Sequence, residues 1–227
     1  MAAVLLPVRR VSLEYSLLVF DLDGTLVDSA ADIAEAVNRM LADRSLPRVD
    51  EAVIRGWIGD GVGPLVRSAL DHAGSGLRVD EVLPGFMVHY EDCLLLAPQV
   101  YAGVRPLLEA MRGQGVPAAI CTNKPERFVR PLLRALDLDR HFDVIVGGDS
   151  LPQRKPSPEP LRHVVAHFGL RPTQCLMVGD SSTDLLTAQA AGVPFAMVTY
   201  GYLRGFDPRS VPGIRVIHDL RELLPRG

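Results

Sequence analysis

No apolar run in the chain approaches the ~18 residues a membrane-spanning helix needs, and no segment is low-complexity or internally repeated. Surplus positive charge is missing too: 24 Lys and Arg stand against 27 Asp and Glu, a formal charge of −3. That balance gives no electrostatic footprint for nucleic acid or an anionic membrane. A small anionic substrate stays compatible with it, because local charge can oppose net charge. Cysteine is scarce: Cys93, Cys121 and Cys175, with no C-x-x-C pair. An odd count, with two members inside apolar runs, reads as buried free thiols in a reducing compartment. The N-terminal MAAVLLPVRR has its basic pair after a very short apolar run, the reverse of a signal peptide. The expectation is a soluble, cytoplasmic protein.

Apolar residues, by contrast, make up 48% of the 227 positions, and charged ones only 22%. Extended disorder is excluded, and the length suits one large domain or a core with a smaller insert. Short apolar runs at 16–20, 117–121, 144–146, 175–178 and 195–198 read as strands buried on both faces. Helix-like stretches at 104–112, 125–136, 157–168 and 183–191 alternate with them. Such alternation implies right-handed crossovers and a parallel sheet. The alternation breaks once. Between 27 and 98 no strand is evident, and 52–58, 64–72 and 79–94 read as helices separated by glycine-containing breaks. A further helix starts near Ser29, a plausible N-cap with Asp32 three residues on, and carries Ile33, Val37, Met40 and Leu41 at helical spacing. The fold class is therefore α/β: a Rossmann-like parallel sheet core flanked by helices (1–26 and 99–227), with an all-helical cap (27–98) inserted after the first strand.

Open parallel sheets bind ligands outside the carboxyl ends of their strands, so the residues just after each strand are the ones to inspect. The first strand is followed by Asp21-Leu22-Asp23-Gly24-Thr25-Leu26, the second by Thr122-Asn123-Lys124. Arg154-Lys155-Pro156 precedes the helix at 157–168, and Gly179-Asp180-Ser181-Ser182-Thr183-Asp184 follows the fourth strand. Taken singly these are ordinary turns, caps and surface groups. Together they supply four carboxylates, a hydroxyl and an ammonium, a set able to hold a hard cation and a phosphoryl group at once. Oxygen ligands of this kind select Mg²⁺. His163 and His167 are four apart but read as an exposed helical face. Cys121 reads as a packed thiol, and Trp57 as an anchor of the cap's own core.

The four segments resemble the motifs of the haloacid dehalogenase superfamily, and the resemblance spans nearly the whole chain. Further stretches resemble its phosphoglycolate phosphatase family: Trp57-Ile58-Gly59-Asp60-Gly61-Val62-Gly63, Thr122-Asn123-Lys124-Pro125, Gly147-Gly148-Asp149, Lys155-Pro156-Ser157-Pro158-Glu159-Pro160 and Thr199-Tyr200-Gly201-Tyr202. The resemblance implies a phosphoric monoester hydrolase acting on a small phosphorylated metabolite, most simply 2-phosphoglycolate. Asp21 would be the nucleophile that becomes phosphorylated, and Asp23 the general acid and base. Mg²⁺ would be held by Asp21, the Asp23 backbone carbonyl and Asp180, with Asp184 orienting the metal's surroundings. Thr122, the Asn123 backbone amide and Lys155 would hold phosphoryl oxygens. The cap would open and close on hinges near 26–28 and 98–103, and Gly59, Gly61 and Arg67 are the candidate substrate contacts. Asp60 would repel a substrate carboxylate if it faced inward. It is expected to face solvent or to bond its own loop's amides.

Other readings stay open. A phosphosugar phosphatase acting for instance on N-acetylmuramate 6-phosphate, a pyrophosphatase and a phosphosugar mutase would share these motifs. A non-catalytic phosphometabolite-binding module has the complete motif set against it. A dehalogenase typically lacks the second aspartate of D-x-D, so Asp23 argues for phosphoryl transfer. Oligomeric state is not legible.

Overall fold

The computed structural model describes residues 13–225, so the expectation about the N-terminal segment lies outside the described residues. Six strands form one sheet: β1 (Leu17–Phe20), β4 (Ala118–Cys121), β5 (Phe142–Val146), β6 (Cys175–Gly179), β7 (Phe195–Val198) and β8 (Arg215–Ile217). Their order is β5-β4-β1-β6-β7-β8 and every pairing is parallel. In β1 the side chains alternate between two buried layers. Leu18 and Phe20 join one cluster. Leu17 and Val19 join the other. A strand buried on both faces must be apolar throughout, and this is what made the run readable.

Helices cover both faces. α5 (Val104–Gln114) and α6 (Glu126–Ala135) bury Leu107, Leu108, Leu132 and Leu133 in the layer of Phe20. α7 (Glu159–His167) and α8 (Ser182–Ala191) bury Leu161, Val164, Leu185 and Ala188 in the layer of Val19. His163 and His167 lie on the exposed face of α7, and all three cysteines are free and buried. No helix among the described residues is long and apolar enough to cross a membrane.

Between β1 and α5 stand α1 (Ala30–Ala42), α2 (Glu51–Arg55), α3 (Val62–His72) and α4 (Val79–Cys93). They share a core in which Ile33, Val37, Met40 and Leu41 of α1 meet Phe86 and Tyr90 of α4. The helices are joined to the sheet domain by a two-stranded antiparallel ribbon, β2 (Val27–Asp28) with β3 (Gln99–Val100). Two-residue strands carry too little pattern to be seen in a sequence. The expected wholly helical segment, 27–98, therefore begins with a strand, and that strand's partner lies just past its other end. Ser29 starts α1 but makes no side-chain cap bond; its hydroxyl instead donates to Asp23 Oδ1 at 2.6 Å. α2 ends at Arg55, short of the expected 58, with Gly56 as its C-cap, and Trp57 lies half-buried beside His72 with ring centroids 5.5 Å apart.

Candidate active site

The order β4-β1-β6 sets three of the polar strand ends side by side. Asp21 follows β1, Thr122 follows β4 and Asp180 follows β6. The Asp21 backbone N–H still donates to Val178 of β6, at 2.9 Å, and the Thr122 N–H to Val146 of β5, at 3.0 Å. Both side chains are thus aimed by sheet hydrogen bonds just past the strand ends. Lys155 arrives from the segment before α7. Its Nζ lies 2.8 Å from Asp21 Oδ1 and 2.6 Å from Asp184 Oδ1.

Asp21, Asp180 and Asp184 are all buried, and each offers a carboxylate oxygen within 4.8 Å of the others'. Asp184 is fixed by the α8 capping box, accepting from Ser181 Oγ at 2.6 Å and Ser181 N at 3.1 Å. Asp180 accepts from Thr25 Oγ1 at 3.1 Å and from the Tyr202 N–H. It occupies space that only glycine neighbours leave open. A Cβ on Gly24, whose φ is +87°, would come within 2.1 Å of Asp180 Oδ2. One on Gly201 would come within 2.5 Å of the same oxygen. The Thr199-Tyr200-Gly201-Tyr202 segment thus has a packing reason: Tyr202 places its N–H on Asp180, and its hydroxyl donates to Asp28 Oδ1 at 2.8 Å.

Three buried carboxylates beside one ammonium leave unbalanced negative charge. Burial pushes the Asp21 carboxyl up to about 6, with Lys155 opposing and Asp184 adding to the rise. Burial, then the charges of Asp184 and Asp21, hold Asp180 well above the carboxylate range. Burial alone would lower Lys155, but Asp184 and Asp21 override it and hold the ammonium above its usual range. Asp21 Oδ1 has the ammonium nearby but no well-directed hydrogen bond. Clustered buried carboxylates with an oxygen left over are what an oxygen-seeking divalent cation satisfies. The donor set fits one.

Asp23 sits beside this cluster and lines a cleft. Besides Ser29, it accepts from Lys124 Nζ at 3.1 and 3.3 Å. Asp21, Asp23, Thr122, Asn123 and Lys124 form the floor of the cleft; Gly59, Gly61 and Tyr90 come from the helical side. The Asn123 side chain is a tie across the cleft, with Nδ2 donating to the carbonyls of Gly59 (3.0 Å) and Lys155 (3.1 Å).

Two expectations about the helical side, for Arg67 and Asp60, need correction. Arg67 lies on the exposed face of α3, in a groove with Asp71 and Arg78, away from the cleft. The α3 residues that turn inward are Leu65, Val66, Ala69 and Leu70, and Arg67 falls outside that stripe. Gly63 is an ordinary helical position with open space beside it, whereas Gly59 (φ +130°) and Gly61 (φ +95°) need glycine's freedom. Asp60 neither faces solvent freely nor bonds its own loop. It reaches across to the sheet domain, accepting from Thr183 Oγ1 at 2.7 Å and from both terminal nitrogens of Arg204. Sequence reasoning also gave Lys124 and Tyr90 no role. Lys124 stood next to the Thr-Asn pair, but nothing local linked it to Tyr90, which lies 34 positions away.

Known proteins share this architecture. Phosphoglycolate phosphatase 1 of Pseudomonas aeruginosa is 46% identical over 214 residues, which cover 92% of this chain and 78% of that protein. A phosphoglycolate phosphatase of Cupriavidus necator is 42% identical over 217 residues, 95% of this chain and 94% of that one. The crystal structure of a predicted phosphoglycolate phosphatase from Haemophilus somnus superposes with a TM-score of 0.86 at 36% identity, covering 92% of this chain and 96% of that one. The haloacid dehalogenase-like hydrolase family model matches residues 18–198, from within β1 to the end of β7, and the chain belongs to that family.

Proposed function

We propose that the protein is a Mg²⁺-dependent phosphatase that hydrolyses 2-phosphoglycolate to glycolate and phosphate through a phosphorylated Asp21. The observation that carries this reading is the placement of Asp21. It is a buried carboxylate at the end of the central strand, with Lys155 2.8 Å away and Asp23 beside it on the same cleft. The relatives in which phosphoglycolate phosphatase is the stated activity, at 42–46% identity, support the substrate.

In this reading Asp21 attacks phosphorus through one carboxylate oxygen. Asp21, Asp180 and the Asp23 backbone carbonyl would hold the cation, and Asp184 keeps Lys155 and its neighbours in place. A bound Mg²⁺ supplies charge that screens the repulsion between carboxylate and phosphate. Lys155, the Thr122 hydroxyl and the Asn123 backbone N–H stabilise the phosphoryl oxygens as charge shifts in the transition state. Asp23 protonates the departing alkoxide, then takes a proton from the water that attacks the phosphorylated Asp21. Ser29 and Lys124 hold the Asp23 carboxyl in orientation. Residues 27–98 act as a cap that closes over the site on the β2–β3 ribbon and excludes bulk water.

The cleft's walls favour a small leaving group. Ile33, Ile58, Val62 and Leu65 line it, and a sugar's several hydroxyls would go unpaired against them at a cost of ~1–3 kcal/mol each. The test is kcat/KM for 2-phosphoglycolate beside glucose 6-phosphate, N-acetylmuramate 6-phosphate and pyrophosphate. A tenfold advantage for any of the last three would overturn the substrate while leaving the phosphatase chemistry standing.

A further inference from the structure

Lys124 is an ammonium whose side chain is fully buried where cap helices meet sheet domain, and in the mechanism above it only orients Asp23. An ammonium carries three donors. One is shared by the Asp23 oxygens, at 3.1 and 3.3 Å, and a second goes to the hydroxyl of Tyr90. The third has no acceptor among the described residues. Tyr90 accepts from Lys124 and so keeps its own O–H to give, and that hydrogen too has no acceptor among the described residues. Burial holds the Tyr90 phenol well above its usual range, so it stays protonated and a donor.

Both groups are held firmly. The Tyr90 ring is packed between Phe86 of α4 and Phe128 of α6, with centroids 5.5 and 4.9 Å away, and the Lys124 ammonium lies 4.7 Å from the ring's centroid. They line the same cleft as Asp21 and Asp23, and the other walls there are the apolar Ile33, Ile58, Val62 and Leu65. Two spare donors, one of them charged, facing the apolar wall of the cleft match a single carboxylate with its two oxygens.

We propose that Lys124 and Tyr90 form the subsite that reads the carboxylate of the leaving group, selecting 2-phosphoglycolate over small phosphomonoesters that lack the acid. This rests on the phosphatase reading above and assigns its specificity to two residues, one from each side of the cleft. Since Tyr90 rides on α4, the subsite is complete only when the helices stand over the sheet domain. An acidic leaving group is thereby matched to the closed arrangement.

The experiment compares kcat/KM for 2-phosphoglycolate and for ethyl phosphate, in which a methyl replaces the carboxylate. Wild-type protein should favour 2-phosphoglycolate strongly. Lys124→Met should lower the ratio of the two values by about 10²-fold, chiefly through KM for 2-phosphoglycolate. Tyr90→Phe, which removes one oxygen and keeps the packed ring, should lower it by about tenfold. If both substrates suffer equally, so that the ratio holds in folded Lys124→Met, the lysine serves only to position Asp23 and the inference fails. Should that variant not fold, as judged by its thermal transition, an unchanged ratio in Tyr90→Phe overturns the inference by itself. A wild-type protein without preference for the acid would overturn the substrate reading and the subsite together, and that outcome shows before any variant is made.

Discussion

Arg204 of the sheet domain holds Asp60 of the helical segment: Nη2 lies 3.1 Å from Asp60 Oδ1, and Nη1 donates to Oδ2. Thr183 adds a bond to Oδ1 at 2.7 Å. Although burial works against it, these hydrogen bonds keep the Asp60 carboxyl below its ordinary range. The pair is 144 positions apart in the chain and bridges the two sides of the cleft next to Gly59 and Gly61. It fastens the closed arrangement, and its partial exposure keeps its worth modest. Arg204→Gln should therefore speed amide hydrogen exchange in 59–63 and reduce kcat/KM by about three- to tenfold. Raised salt should weaken the wild type towards the variant and leave the variant unaffected. Unchanged exchange in 59–63 would remove the latch from the account.

Asp21→Asn removes the attacking oxygen's charge in a side chain of the same shape. Turnover should fall by at least about 10³-fold, and no phosphorylated protein should be trapped by rapid acid quench and mass measurement. Asp23→Asn should differ in kind. Phosphate still binds, while the protonation and water-activation steps slow by about 10²–10⁴-fold. A phosphorylated Asp21→Asn protein would place the nucleophile elsewhere.

Stripping divalent cations with a chelator should abolish phosphate release, and Mg²⁺ should restore it. The removal should also show without catalysis: the uncompensated charges of Asp21, Asp180 and Asp184 ought to lower the thermal transition at neutral pH relative to the loaded protein, as loss of any ligand of the native state does. Full activity in saturating chelator would sink the metal's role.

The space around Asp180 can be tested from behind. A Cβ on Gly201 would lie 2.2 Å from the Gly24 carbonyl oxygen and 2.4 Å from Asp180 Cβ. Since the first of these is backbone, the clash cannot be relieved by rotating a side chain. Gly201→Ala should cost about 1–3 kcal/mol of stability and weaken Mg²⁺ affinity, read by calorimetric titration. A variant with wild-type metal affinity would show that Asp180 tolerates displacement.

How far the sequence reached depended on how local each feature is. β1, β4, β6 and β7 were visible because burial on both faces makes four apolar residues in a row. β5 was found short, since its second residue, Asp143, is exposed and breaks the run. β8 was missed, because only Ile217 of its three residues is buried. The same distinction governs the site. Asp21 with Asp23 and Asp180 with Asp184 are close in the chain, so the strand-end rule finds them. Lys124 with Tyr90 and Asp60 with Arg204 are joined only by folding, through the meeting of helical segment and sheet domain, and no spacing announces them.

Asp32 offers a test of electrostatics outside the catalytic groups. It is buried on α1, with Oδ1 accepting from the Ala97 N–H at 2.8 Å and Oδ2 left without a partner. Burial raises its carboxyl to about 6 from the usual 3.8; the Ala97 amide and Lys124 oppose this, while Asp23 and Asp28 add to it. Below the unfolded value both states hold the proton, and folding incurs no penalty from this group. Between 3.8 and about 6 the unfolded chain loses the proton first, so this group's contribution to stability falls as pH rises through that window. Above it the penalty is constant. Asp32→Asn cannot ionise, and its carbonyl oxygen can still accept from Ala97. The variant should be more stable than wild type by on the order of 1 kcal/mol at pH 7.5. That advantage should shrink steadily on acidification and vanish near pH 4. Urea unfolding of both proteins at several pH values gives the comparison. A difference that stays constant across the series would assign the effect to packing and remove the buried charge from the explanation.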